Sequence, residues 1–259
     1  MKRTAYTRTM RKKIRQAWLL VLVLLLQPSV IQAAEIRVAV ASNFSDAIKE
    51  IAGMFEQQTG HRITLAFGST GKHYAQIING APFEAFFAAD VRRPKLLDEE
   101  GVARPGSRFT YAVGKVVLWS PVPDRIDTGG NGLGAGDFKY LAVANPKLAP
   151  YGKAAEQILR AQGVWDTLRT RMVRGENIGQ TFQFVSSCNA ELGFVAYSQI
   201  KRPGATIEGS FWEPPQSLYS PIEQQAVLLK EDPVARQFLD FVKSDAVREI
   251  IQEYGYGTS

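Results

Sequence analysis

Four short stretches set hydroxyls, amides and small residues where a helix begins: Ser42-Asn43, Ser69-Thr70-Gly71, Pro150-Tyr151-Gly152 and Asn177-Ile178-Gly179. A helix N-terminus leaves up to four backbone N–H groups without intrahelical partners and carries a partial positive charge. Such ends bind anions, although Ser, Thr and Asn also stand there simply as caps. None of the four turns puts a carboxylate at the prospective contact positions; Asp46 and Glu176 read as first-turn helix charges. A site made of N–H and O–H donors without an acceptor suits an anion that carries no proton. Phosphate at neutral pH does carry one, and so needs a carboxylate; sulfate passes the same filter.

Other chemistry is poorly represented. Gly71-Lys72 looks like the end of a phosphate loop, but His73 takes the place of the required Ser or Thr and Ala66 that of the first glycine. Two histidines, His61 and His73, and a single cysteine make a zinc site an unpromising expectation, and no nucleophile-elbow pattern is present. No cofactor and no catalytic residue is expected. The lone Cys188 cannot form an intramolecular disulfide and reads as a small buried residue in a helical region. The run Thr128–Gly136 is glycine-rich but lies between units, as a surface loop. Trp212 with Pro214-Pro215 reads as a packed segment.

The elements that must carry the four turns follow from periodicity. Ile36–Ala41 is a strand, Asn43–Gln58 a helix, Arg62–Phe67 a strand, Gly71–Asn79 a helix and Phe83–Ala89 a strand. A second series comprises strands at Val113–Trp119, Leu141–Ala144 and Gly193–Ala196 with helices at Lys153–Gln162 and Gln180–Ala190. The chain closes with a strand at Ala226–Leu229 and helices at Pro233–Ser244 and Asp245–Tyr254. Alternating strands and helices predict an α/β fold with mostly parallel sheets. Ligands in such sheets sit at the carboxyl ends of the strands, where these turns fall.

The N-terminus supplies the compartment. Seven basic and no acidic residues precede the apolar run Ala17–Leu26, followed by Ile31-Gln32-Ala33, which gives a cleavable secretory signal over 1–33. The apolar run is about half of the ~20 residues that span a bilayer. The formal charge of +6 comes from 31 basic and 25 acidic residues. With the seven removed, 24 basic residues face 25 acidic ones, so the remaining 226 residues are close to neutral and a nucleic-acid partner is not expected.

From Ile36 onward the chain resembles the periplasmic molybdate-binding proteins of molybdate ABC transporters. The resemblance rests on Ala41-Ser42-Asn43-Phe44, Phe67-Gly68-Ser69-Thr70-Gly71, Asn79-Gly80-Ala81-Pro82, Phe87-Ala88-Ala89-Asp90, Ala144-Asn145-Pro146, Ala149-Pro150-Tyr151-Gly152 and Leu192-Gly193-Phe194-Val195. It implies the two-lobed type II periplasmic-binding-protein fold, with lobe I from 34–113 and 223–259 and lobe II from 114–222. It also implies a molybdate or tungstate oxyanion held in the cleft by Ser42, Asn43, Thr70, Tyr151 and the backbone N–H of Ile178, with Ser69 adjacent. Some members place a tyrosine hydroxyl after the Leu-Gly-x-Val strand, where Ala196 stands here with Tyr197 one residue on; Thr70 replaces a serine of many relatives. The partners implied are a membrane permease and its ATPase, and the expected protein is a periplasmic monomer that closes about crossings near Ala112–Val116 and Ser220–Gln225. The residues by themselves leave open a receptor for another oxyanion such as sulfate, and an exported enzyme.

Overall fold

The computed structural model describes residues 33–127, 129–130, 133 and 137–258. All but the last residue of the expected leader, 1–33, and most of the glycine-rich run 128–136 therefore lie outside the described residues.

Two five-stranded sheets organise the chain. In the first, β1 (Glu35–Ala41), β2 (Arg62–Gly68), β3 (Ala85–Ala88), β4 (Phe109–Gly114) and β10 (Ile222–Leu228) stand in the order β2-β1-β3-β10-β4. In the second, β5 (Val116–Ser120), β6 (Leu141–Ala144), β7 (Met172–Gly175), β8 (Leu192–Ala196) and β9 (Ser210–Trp212) stand in the order β7-β6-β8-β5-β9. Each sheet has one strand reversed against its neighbours, β10 in the first and β5 in the second. The other four strands of each sheet run the same way, as expected for a mostly parallel α/β architecture.

Both sheets are buried on their two faces, and for that reason β3, β5, β6 and β8 are unbroken apolar runs rather than alternating ones. One face of the first sheet packs Phe44, Ile48, Ile51 and Phe55 with Phe238 and Leu239; the other packs Ile77, Phe86, Leu97 and Val227. The second sheet has equivalent faces, built around Ile158, Leu159 and Phe194 on one side and Val117, Trp119 and Val185 on the other. Each sheet with its helices is a lobe.

Several elements differ from the sequence expectation. The expected strand Val113–Trp119 is two strands, β4 and β5, one in each sheet, so the chain changes lobe at Lys115. The β7 strand, the short β9 strand and the helix Arg92–Glu99 carry too few patterned residues to stand out. The expected helix at Gln180–Ala190 runs instead from Ile178 to Ser186, and Cys188 lies beyond its end at φ 58° with its side chain exposed, not buried in a helix. The chain returns to the first sheet between Trp212 and Ile222. Trp212 itself is packed, 5% exposed.

Candidate functional site

The four turns come together. A 3-10 turn, Ser42–Phe44, follows β1; α2 (Thr70–Ile78) follows β2, after α1 (Ser45–Thr59). In the second lobe, α3 being the helix Arg92–Glu99 of the first, α4 (Pro150–Ala161) follows β6 and, after the short α5 (Trp165–Leu168), α6 (Ile178–Ser186) follows β7. All four junctions lie at carboxyl ends of parallel strands, two per lobe. Ser42, Asn43, Ser69, Thr70, Tyr151 and Ile178 line a single small cavity, together with Ala41, Gly68, Ala89, Ala149 and Pro150. No lining residue is charged, and all six candidates are buried.

Local rules explain why the chain turns as it does here. Ser69 and Asn177 are N-caps in extended backbone, their side chains accepting from Lys72 N–H (3.3 Å) and Gln180 N–H (2.9 Å). Pro150 takes the first position of α4, where its missing N–H costs nothing. Gly152 follows because a Cβ there would collide with the Ala144 carbonyl.

The framework also fixes which way the hydroxyls point. Thr70 Oγ1 accepts from Ala89 N–H at 3.0 Å, and the Tyr151 hydroxyl accepts from Gln224 Nε2 at 3.1 Å. Each hydroxyl keeps its own proton to donate. Burial pushes the Tyr151 and Tyr111 phenols well above the usual tyrosine range, so both remain protonated donors. Ser42 Oγ reaches across to the other lobe, donating to Asn177 Oδ1 and accepting from Gly179 N–H, both at 3.1 Å. Gly71 N–H donates to the Leu148 carbonyl at 2.9 Å and Lys72 Nζ pairs with Glu176 at 3.3 Å, closing the same seam. The lobes are thus shut, with a central void of about 10 Å³, roughly one water molecule.

Behind the cavity lies a buried polar network that the sequence reading did not find. Gln224, fully buried, accepts from Asn43 Nδ2 (2.7 Å) and the Tyr111 hydroxyl (3.0 Å) through Oε1, and donates to Tyr151 through Nε2. The Tyr256 hydroxyl donates to the Asn43 carbonyl at 2.7 Å, and Ser198 Oγ to the same oxygen at 3.1 Å. Asn43 Oδ1 is buried without a hydrogen-bond partner among the described residues. The one local signal was strand alternation, which puts Gln224 on the same side as buried Ile222. Tyr197 does not line the cavity; its ring packs 6.0 Å from that of Phe211, beneath Lys115 Nζ.

Residues 36–257 match the family model described as bacterial extracellular solute-binding protein. The chain is 50% identical to the molybdate-binding protein ModA of Azotobacter vinelandii over 87% of its own length and 91% of the relative's. It is also 50% identical to the molybdate-binding protein ModA of Rhodobacter capsulatus, over 87% and 89%. The solved structure of the Azotobacter vinelandii periplasmic molybdate-binding protein superposes with a TM-score of 0.84 at 43% identity, covering 86% of this chain and 99% of that one.

Proposed function

The chain belongs to the family of bacterial extracellular solute-binding proteins, and from that membership we propose that it captures molybdate outside the cytoplasm and presents it to the permease of an ABC importer. The observation that carries this reading is the convergence of four helix N-termini, two from each lobe, on one buried cavity without a charged lining residue. Each first turn offers amides that the helix cannot use, and Thr70 and Tyr151 offer hydroxyl protons whose directions the framework has set. Ser42, Asn43, Thr70, Tyr151 and the Ile178 N–H are the proposed ligand contacts, with Ser69 beside them. Similarity to molybdate-binding proteins at half identity supports the choice of ligand.

A tetrahedral dianion does not fit a void of one water, so uptake requires the lobes to part about the crossings at Lys115 and 213–221 and then close again. The Ser42 bonds to Asn177 and Gly179 hold the seam, and a bound oxyanion takes their place. On this reading residues 1–33 are the export signal, tungstate shares the site, the ATPase drives the permease, and the protein is a monomer without enzymatic turnover.

Calorimetric titration of the chain lacking 1–33 tests the reading. Molybdate is expected to bind at one site per chain, while phosphate, which carries a proton that the site has no carboxylate to accept, gives no heat. Preference for sulfate over molybdate would reassign the ligand, and no heat with molybdate would overturn the reading.

A further inference from the structure

A second, much larger cleft of about 910 Å³ adjoins the small cavity and shares Ala89 and Pro150 with it. Its walls come from both lobes. Two of its arginines are committed elsewhere: Arg93 pairs with Asp90 and donates to the Lys147 carbonyl at 3.1 Å across the seam, and Arg160 pairs with Glu156 at 2.8 Å. Five more cations, Arg92, Lys147, Lys153, Arg169 and Arg174, line the same cleft, are exposed, and make no ion pair among the described residues. Against them stands one unpaired carboxylate, Glu223.

This concentration is not a property of the surface at large. Outside its first 33 residues the chain is near neutral, with 24 basic against 25 acidic residues, yet the cleft carries a net charge of about +4. The cations are scattered over four segments of sequence and meet only in the fold. They stop short of the small cavity, which has no charged lining residue. Attraction and recognition are therefore carried by different groups: dipoles and hydroxyls inside, full charges outside.

We propose that this cleft is the electrostatic entrance to the oxyanion site, drawing dianions toward the seam from solution and releasing them to the uncharged cavity. The inference rests on the oxyanion reading given above. A low-dielectric cleft lined by one sign of charge focuses the field and raises association rates by about 10- to 1,000-fold. Over a Debye length of about 10 Å at 0.1 M salt, the exposed cations act in dilute buffer and fade as salt rises. Cations that merely solubilise the surface would have no such effect on one association rate.

Stopped-flow mixing with molybdate, followed by intrinsic fluorescence, tests it across ionic strengths of about 0.01 to 1 M. The triple variant Arg92→Gln, Lys153→Gln, Arg169→Gln is compared with Arg236→Gln, Lys243→Gln, Arg248→Gln, which removes the same charge at residues of the first lobe that do not line the cleft. The cleft variant is expected to lose about tenfold in association rate at low salt, to keep the wild-type dissociation rate, and to converge with wild type near 1 M. The distant triple should behave as wild type. Equal slowing in both triples, an unchanged association rate, or a change confined to dissociation overturns the entrance. Failure of the wild type to bind molybdate takes down the oxyanion reading and the entrance with it, whereas binding with an unaffected association rate removes the entrance alone.

Discussion

At the scale of single residues, the site works by committing each hydroxyl's lone pair to the framework so that its proton has one way to go. Thr70 shows this most directly, since the Ala89 N–H occupies its acceptor side. Thr70→Ala is expected to weaken molybdate binding by ~1–3 kcal/mol, one lost charge-assisted hydrogen bond, or roughly 5- to 150-fold in Kd by titration calorimetry. Thr70→Ser, which keeps the hydroxyl, should recover most of the loss. An Ala variant with wild-type affinity would remove Thr70 from the contacts. Ser69 and Asn177 were legible in the sequence because capping chemistry is local, a property of a few adjacent residues, and Ser42 and Thr70 because they stand in turns of the same small, polar composition. Gln224 was not, because its partners Asn43, Tyr111 and Tyr151 are far away along the chain and its role exists only once β10 lies between them.

At the scale of elements, strand and helix positions followed from periodicity wherever an element was long, and failed where a strand had to be divided. The break between β4 and β5 is invisible in the expected strand Val113–Trp119 because nothing in that stretch itself says that its two ends belong to different sheets. Gly114, the last residue before the crossing, is closely surrounded. A Cβ there would overlap the Tyr151 hydroxyl and come within 2.5 Å of Gln224 Nε2. Gly114→Ala is therefore expected to displace Tyr151, raising the molybdate Kd by at least about tenfold and costing ~1–3 kcal/mol of stability through overpacking, measured by calorimetry and chemical denaturation. Gly53→Ala, on an open face of α1 with nothing within 4 Å of the added methyl, serves as the control and should leave binding unchanged. The five cations of the wide cleft escaped the sequence reading for the same reason as Gln224: Arg92, Lys147, Lys153, Arg169 and Arg174 form no charge run, and only the folded seam gathers them.

At the scale of the whole molecule, stability rests on two cores and on buried polar groups rather than on cross-links. His73 adds a dependence on acidity. It is buried beside β1, with Nε2 3.2 Å from the Val40 carbonyl, and desolvation is the main cause holding its pKa below the ordinary 6.5. The unfolded chain takes up a proton near pH 6.5 that the folded chain refuses until the pH is lower, so this contribution is complete above that value and is lost as the pH falls through it. Urea unfolding at pH 7.5 and 5.5 should show wild type losing more stability on acidification than His73→Gln; equal losses would clear His73 of the effect. Finally, Cys188 stands exposed just past the end of α6, whose other end meets the small cavity, and it is the sole cysteine among 259 residues. Thiol chemistry therefore has a single address on this protein. A spin label or dye attached there rides with the second lobe, and one cysteine introduced on the first lobe turns cleft closure into a distance that can be read in solution.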